Sequence, residues 1–83
     1  MYSYTISKEV NEEKFFETCE IIEKSIKDYK KSDLLMDVDG SLIQKYSTPK
    51  GLIKVFNDYD IYAVYVDSEI EIPALNKYII LIK

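Results

Sequence analysis

The chain has 83 residues, of which 47% are hydrophobic and 31% charged, and its formal net charge is −4, a composition typical of one globular domain over residues 1–83. It contains no histidine, arginine or tryptophan and a single cysteine, Cys19. These absences exclude histidine acid–base catalysis, bidentate arginine clamps, an internal disulfide and a cysteine-rich zinc site, so we expect no catalytic residue, no metal and no cofactor.

The distribution of charge bears on the partner. No lysine lies between Val55 and Asn76, whereas five acids do: Asp58, Asp60, Asp67, Glu69 and Glu71. Nucleic acids and anionic membranes both require a basic surface, so we expect neither to bind directly. The chain has no run of about 20 apolar residues that could span a membrane. Because its start lacks a basic segment followed by an apolar run, we expect no signal peptide and a cytoplasmic protein.

The first predicted elements are a strand and a helix. Residues 2–7 alternate large and small polar side chains, which is typical of a half-buried strand. Asn11 is a favoured helix N-cap. Apolar side chains then recur at helical spacing, at Phe15, Cys19, Ile22, Ile26 and Tyr29. We predict an amphipathic helix that begins after Asn11, buries Cys19 and ends near Ser32, with Lys30 and Lys31 at its negative end.

The rest of the chain has the pattern of strands separated by turns. Pro49 and Gly51 mark one loop, residues 57–60 a second turn, and Pro73 an interruption. Predicted strands cover residues 34–37, 41–46, 52–56, 61–66 and 78–82. The order β-α-β-β-β-β, with room for a further short strand, predicts an α+β fold in which one N-terminal helix packs on a mainly antiparallel five- or six-stranded sheet.

Residues 34–44, LLMDVDGSLIQ, admit two interpretations. The segment resembles the first motif of the haloacid-dehalogenase-like phosphatases, a buried strand that leads into Asp-x-Asp-Gly-Thr/Ser-Leu. That resemblance implies an aspartyl-phosphate nucleophile at Asp37 and, at Asp39, a general acid–base residue that helps to hold magnesium. It covers only this short segment of the 83 residues. The family also requires a parallel sheet flanked by helices, whereas the residues that follow have an antiparallel pattern.

The second interpretation is a hairpin turn, and we favour it. Aspartate followed by Val-Asp-Gly suits a type I turn closed by a glycine in the left-handed conformation. A three-residue loop over 38–40 would pair Asp37 with Ser41, Met36 with Leu42 and Leu35 with Ile43. This register places apolar side chains opposite apolar side chains.

The predicted strands carry apolar residues on both faces of the sheet. Residues 61–66 and 79–82 form nearly continuous apolar runs, which are typical of strands buried on both sides. One helix covers one face, so we expect strong sheet curvature, a second copy of the chain or another protein to cover the other. Tyrosine is enriched at protein interfaces, and the candidates for a partner-binding sheet face are Tyr62, Tyr65 and Tyr78.

The acidic tract is a second candidate surface for binding a partner. An extended segment would present Asp67, Glu69 and Glu71 in a row, beside Asp58 and Asp60, as an acidic edge that attracts a basic protein surface. The same charges also suit a solvated sheet edge that resists aggregation. Both interpretations stay open at this point.

These features favour a small non-enzymatic protein-binding module, an inhibitor or antitoxin-like antagonist that uses its acidic edge and tyrosine-rich sheet face. In size and charge the chain resembles small phage-encoded anti-defence proteins, including anti-CRISPR inhibitors. The alternative is a homo-oligomeric structural or accessory protein, in its simplest form a homodimer, that uses the same face on itself. A minimal aspartate-nucleophile phosphatase is the third hypothesis.

Overall fold

The computed structural model describes residues 1–79, which form six strands, one α-helix and one 3₁₀ helix. In chain order these are β1 (Tyr2–Ser7), α1 (Glu12–Ser25), β2 (Lys30–Lys31), β3 (Leu35–Met36), β4 (Leu42–Thr48), β5 (Gly51–Asp58), β6 (Ala63–Ser68) and the 3₁₀ helix Pro73–Lys77. The protein therefore has the predicted α+β fold, with one α-helix packed on a mostly antiparallel sheet.

The strands form one sheet in the order β1-β6-β5-β4, and β2 and β3 both pair with the outer side of β4. Every pairing is antiparallel. β1 therefore lies at one edge of the sheet and the two short strands at the other. Tyr78 and Ile79 do not form the start of the strand predicted over 78–82, and the rest of that segment lies outside the described residues.

The hydrophobic core lies between α1 and one face of the sheet. Alternate residues of each long strand point into it, and the 3₁₀ helix packs beside α1 on the same core. Its buried apolar members are Tyr4, Ile6, Phe15, Cys19, Ile22, Leu42, Tyr46, Ile53, Val55, Val64, Val66, Ile72 and Leu75. The predicted burial of Cys19 is confirmed, since the thiol packs as a small apolar group on the inner face of α1.

The helix begins where the sequence predicts but ends earlier. The Asn11 side chain accepts a hydrogen bond from the Lys14 N–H at 3.0 Å, so the N-cap is confirmed. Residue 26 is extended, and α1 stops at Ser25 rather than near Ser32. The predicted end is wrong because Ile26 and Tyr29 pack against the core from a non-helical segment, although their spacing resembles that of a helix. The next residues, Lys30 and Lys31, pair with β4 and so form β2.

The turn predicted at Asp37–Gly40 is confirmed in its register. Leu35 pairs with Ile43 and Met36 with Leu42. The Asp37 N–H donates to the Ser41 carbonyl at 2.8 Å, and the N–H of Gly40, whose φ of 92° is left-handed, donates to the Asp37 carbonyl at 3.0 Å. The segment that resembles the phosphatase motif is therefore the turn of an antiparallel hairpin, and all strand pairings among residues 1–79 are antiparallel.

Candidate functional site

Two hairpin turns lie side by side at one end of the sheet, and we call residues 36–40 and 58–62 together the turn tip. They are neighbours because β4 begins opposite the end of β5, where Leu42 pairs with Asn57. The Tyr59 N–H donates to the Ser41 hydroxyl oxygen at 2.9 Å. A Cβ atom on Gly40 would lie 3.5 Å from the Tyr59 ring, so the two turns are in direct contact.

The turn tip borders a cavity of about 290 Å³. Its lining combines four carboxylates with apolar and hydroxyl side chains: Asp37, Asp39, Asp58, Asp60, Ser41, Leu42, Ile43 and Phe56. The carboxylates come from both turns, two from each. The cavity therefore places a strongly negative rim beside an apolar wall.

Hydrogen bonds within the turns orient three of these carboxylates. Asp37 and Asp39 each accept one backbone N–H of their own turn, at 2.7 and 2.9 Å. Asp58 accepts two N–H groups of the second turn, from Asp60 at 2.9 Å and from Ile61 at 3.2 Å. These contacts are the usual way in which aspartate stabilises a turn. They leave further oxygen lone pairs able to accept bonds from a partner.

The Asp58 carboxylate also accepts a hydrogen bond from the Tyr65 hydroxyl, at 2.9 Å. Burial acts to raise the pKa of Asp58, but the hydrogen bonds from Tyr65 and from the turn N–H groups outweigh it and lower that pKa. Burial, and then the bond to Asp58, raise the pKa of Tyr65. At neutral pH the carboxylate is ionised and the phenol is neutral. Tyr65 also stacks on Phe56, with ring centroids 4.7 Å apart, so the bond helps to hold this aromatic pair in place.

The turn tip also carries exposed apolar side chains. Val38 is fully exposed, and Met36 and Ile61 expose 71% and 63% of their surface. Tyr62 is 53% exposed and has a φ of 62°, a left-handed conformation that costs a residue with a Cβ roughly 1–2 kcal/mol. Exposed apolar side chains next to ionised acids are typical of surfaces that bind other proteins.

The structure divides the predicted acidic edge between the two ends of the sheet. Asp58 and Asp60 lie on the turn tip, whereas β6 carries the chain to Asp67, Glu69 and Glu71 toward the opposite end. β6 lies between β1 and β5, so it is an interior strand with partners on both sides. The five acids therefore do not lie along one sheet edge, because β6 is an interior strand, and their role in binding a partner stays a prediction.

The three acids at or beyond the end of β6 have separate surroundings. Asp67 accepts a hydrogen bond from the Ser3 hydroxyl at 2.9 Å, on the face of the sheet away from α1. Glu69 accepts one from the Leu52 N–H at 2.7 Å. Glu71 lies beside a cavity of about 470 Å³ between the end of α1 and the β4–β5 turn, whose charged lining mixes lysines and acids. No common binding geometry joins these acids.

The three candidate tyrosines do not share a face. Tyr65 lies on the open side of the sheet, Tyr62 on the turn tip, and Tyr78 follows the 3₁₀ helix near the end of α1. β6 begins at Ala63 rather than at residue 61, because the Tyr62 N–H closes the second turn by donating to the Asp58 carbonyl at 2.7 Å. Of the three tyrosines, only Tyr65 therefore lies on a face of the sheet, which is the position predicted for all three.

Asp37 and Asp39 are the part of this site that sequence reasoning missed. Their local pattern indicates a turn or a phosphatase motif and does not by itself indicate that they neighbour Asp58 and Asp60. The signal that could have joined them is hairpin register: a β4–β5 hairpin with a short turn at 48–51 places residue 42 opposite residue 57. The two acidic turns then meet without any further assumption.

Within residues 1–79, no three acidic or cysteine side chains are arranged so that they could hold a metal ion. In the same residues, no helix has the length and apolar character needed to cross a membrane. Comparisons with protein-family models, with curated proteins and with solved structures found no match. A function for this chain therefore has to come from the geometry of its own residues.

Proposed function

We propose that the protein is a small non-enzymatic binding module, an inhibitor or antagonist of a protein partner, and that it binds a basic surface of that partner through the turn tip. The observation that supports this most directly is the cavity that four aspartates line together with Ile43 and Phe56. A lysine or arginine side chain has the complementary form, an apolar stem that ends in a cation. The stem would lie along the apolar wall and the cation among the carboxylates.

The charge state of Asp58 agrees with this role. The pKa of Asp58 is lowered, so its carboxylate is ionised at neutral pH, whereas a general acid would need a raised pKa. Several carboxylates around one opening attract cationic side chains and speed association with a basic surface. Because exposed charges are screened by salt, binding through this cavity would weaken as ionic strength rises.

The exposed apolar residues of the turn tip would supply contact area. Met36, Val38, Ile61 and Tyr62 lie on the same two turns as the aspartates. Binding energy at protein interfaces is concentrated in a few aromatic, apolar and arginine anchors surrounded by polar groups. A partner would therefore need a basic side chain flanked by an apolar surface.

The experiment is affinity capture of a partner from lysate of the source cells, using the tagged wild-type protein and a variant that combines Asp39→Asn with Asp60→Asn. Asparagine keeps an oxygen that can accept the turn hydrogen bond of Asp39 while both charges are removed. We expect the wild type to retain a basic protein in a salt-sensitive complex. The variant should retain it at least about 10-fold less well, since each 1.4 kcal/mol of lost interaction is tenfold in affinity.

The matched control combines Glu69→Gln with Glu71→Gln, which removes two charges at the opposite end of the sheet. This control should bind the same partner as the wild type. The proposal would be overturned by a partner that both double variants retain equally well, or by capture that only the control abolishes. Circular dichroism on each variant separates loss of binding from loss of fold.

A further inference from the structure

The face of the sheet away from α1 is not covered by any of residues 1–79, and we call it the open face. Its side chains are mostly half-buried, because each one packs only against neighbouring side chains on the same face. They combine apolar, aromatic and charged groups: Thr5, Ile43, Lys45, Leu52, Lys54, Phe56, Tyr65 and Asp67.

Strand register arranges these side chains in rows across the open face. One row is apolar and aromatic and runs from Ile43 through Phe56 and Tyr65 to Thr5. The adjacent row is charged and polar and consists of Lys45, Lys54, Asp67 and Ser3. Positive charge in the second row therefore lies on β4 and β5, and negative charge lies on β6.

The charges of the second row form no ion pair among the described residues. Lys54 and Asp67 are direct cross-strand partners. Yet among residues 1–79 the one ion pair within 4.0 Å joins Lys31 to Glu23, on the other side of the sheet. Lys45 and Lys54 are also opposite each other, an arrangement of like charges that destabilises a sheet unless another group compensates.

We propose that two copies of the chain associate through their open faces, about a two-fold axis that runs parallel to the strands between β5 and β6. Such an axis places β5 of each copy over β6 of the other. Lys54 of one copy then faces Asp67 of the second copy, and Phe56 faces Tyr65 of the second copy. Each contact occurs twice, as a two-fold interface requires.

Charge complementarity favours a second copy as the occupant. The chain carries a net charge of −4, so most of its surface repels another copy. The open face is different, because the two-fold axis places the positive Lys54 of each copy over the negative Asp67 of the other. A cavity of about 160 Å³ lies next to Asp67 and leaves room for the Lys54 ammonium group of the second copy. The cavity is lined by Met1, Leu52, Lys54, Phe56, Asp67 and Glu69.

The resulting assembly is a sandwich of two sheets with one helix on each outer side. Stacked sheets pack about 10 Å apart, with strand directions within about 30° of each other, as the twist of each sheet requires. The half-buried aromatic row would lie at the centre of the interface and the charged row beside it. This surface shares Ile43 and Phe56 with the cavity at the turn tip, but the inference is argued from strand register and the charged row and does not rest on the proposed function.

Sedimentation velocity over a wide range of protein concentrations tests the dimer. The wild type should pass from monomer to dimer as concentration rises. The Lys54→Asp variant and the Asp67→Lys variant each carry only one sign of charge at these positions, so each should self-associate at least about 10-fold more weakly. Mixed in equal amounts, the two variants should recover a dimer, because their charges are opposite across the same axis.

Lys14→Glu is the matched control, since Lys14 is exposed on α1, away from the open face, and the change in charge is the same as for Lys54→Asp. It should dimerise like the wild type. If Asp67→Lys fails to fold after losing its bond to Ser3, Asp67→Asn keeps an acceptor and should still weaken association. A wild type that stays monomeric at every concentration, or charge variants that fail to recover a dimer when mixed, would overturn the inference.

Discussion

Glu23 shows how a single side chain connects the helix to two strands. Its Oε2 atom accepts hydrogen bonds from the Tyr46 hydroxyl at 2.6 Å and from the Lys31 ammonium at 2.8 Å. The bond from Lys31, followed by that from Tyr46, lowers the pKa of Glu23. Tyr46 is fully buried, and its burial together with the bond to Glu23 raises its pKa, so the phenol remains a neutral donor. The interaction closes one side of the core with satisfied polar groups.

Replacing Glu23 by glutamine should make the stability of the protein less dependent on pH. A lowered carboxyl pKa contributes stability that is present above the unfolded pKa of about 4.3 and is lost as pH falls through the folded pKa. At neutral pH we expect Glu23→Gln to lower the free energy of unfolding by about 1.5–3 kcal/mol, the range for hydrogen bonds to charged groups. Urea denaturation at neutral and acidic pH measures both values, and the difference from the wild type should shrink in acid.

Glu20→Gln is a suitable control for this prediction, because Glu20 lies on the exposed side of the same helix. It should change stability little at either pH. A loss of stability for Glu23→Gln that is equally large in acid would mean that the side chain acts through packing and not through its charge.

The β4–β5 hairpin shows how one element depends on a glycine at its turn. Gly51 begins β5 with a φ of 154°, and a Cβ atom there would lie 2.8 Å from the Glu69 Cβ atom. The Thr48 hydroxyl accepts the Gly51 N–H at 3.0 Å and donates to its carbonyl at 2.8 Å. The turn therefore depends both on the hydrogen bonds of Thr48 and on the absence of a side chain at Gly51.

Gly51→Ala should destabilise the protein more than Gly40→Ala. At Gly40 an added Cβ meets only the Tyr59 ring at 3.5 Å, so the cost is mainly that of the left-handed φ, roughly 1–2 kcal/mol. At Gly51 the methyl group would also have to displace the backbone near Glu69, which adds overpacking of about 1–3 kcal/mol. Chemical denaturation of the two variants compares them directly. Equal losses of stability would show that the contact with Glu69 relaxes at little cost.

The whole molecule is a sheet with one face packed and the other open. A domain of this length buries a limited core, so its stability should lie toward the lower part of the usual range of about 5–15 kcal/mol. Neighbouring residues of β5 face opposite sides of the sheet. Ile53 is fully buried beneath α1, whereas Leu52 is half-buried on the open face.

Alanine substitutions at these two positions should therefore differ strongly. Ile53→Ala leaves a cavity in the core and should lower the free energy of unfolding by about 2–5 kcal/mol. Leu52→Ala, which removes a side chain of the same size from the other face, should cost about 1 kcal/mol or less when measured at low protein concentration. Urea titrations at high and low concentration separate core packing from dimerisation. Equal costs at low concentration would contradict the assignment of the open face.

Features that depend only on residues close together in the chain can be predicted from the amino-acid sequence. The Asn11 cap, the strand over residues 2–7 and the Asp37–Gly40 turn follow from local hydrogen bonding and backbone preference. Hydrophobic periodicity also identified the α+β class and the inner face of the helix, because burial imposes a period of two on strands and 3.6 on helices.

Tertiary contacts set the end of α1, the pairing of Lys30–Lys31 as β2, and the interior position of β6. Each depends on which strands become neighbours, and that choice is made by contacts between residues far apart in the chain. The same choice separated Asp67 from Asp58 and brought Asp58 beside Asp39. The acids from Asp58 to Glu71 lie close together in the sequence, but β6 runs from one end of the sheet to the other between them. Each strand residue advances the chain by about 3.3 Å, so the acids before and after β6 lie far apart.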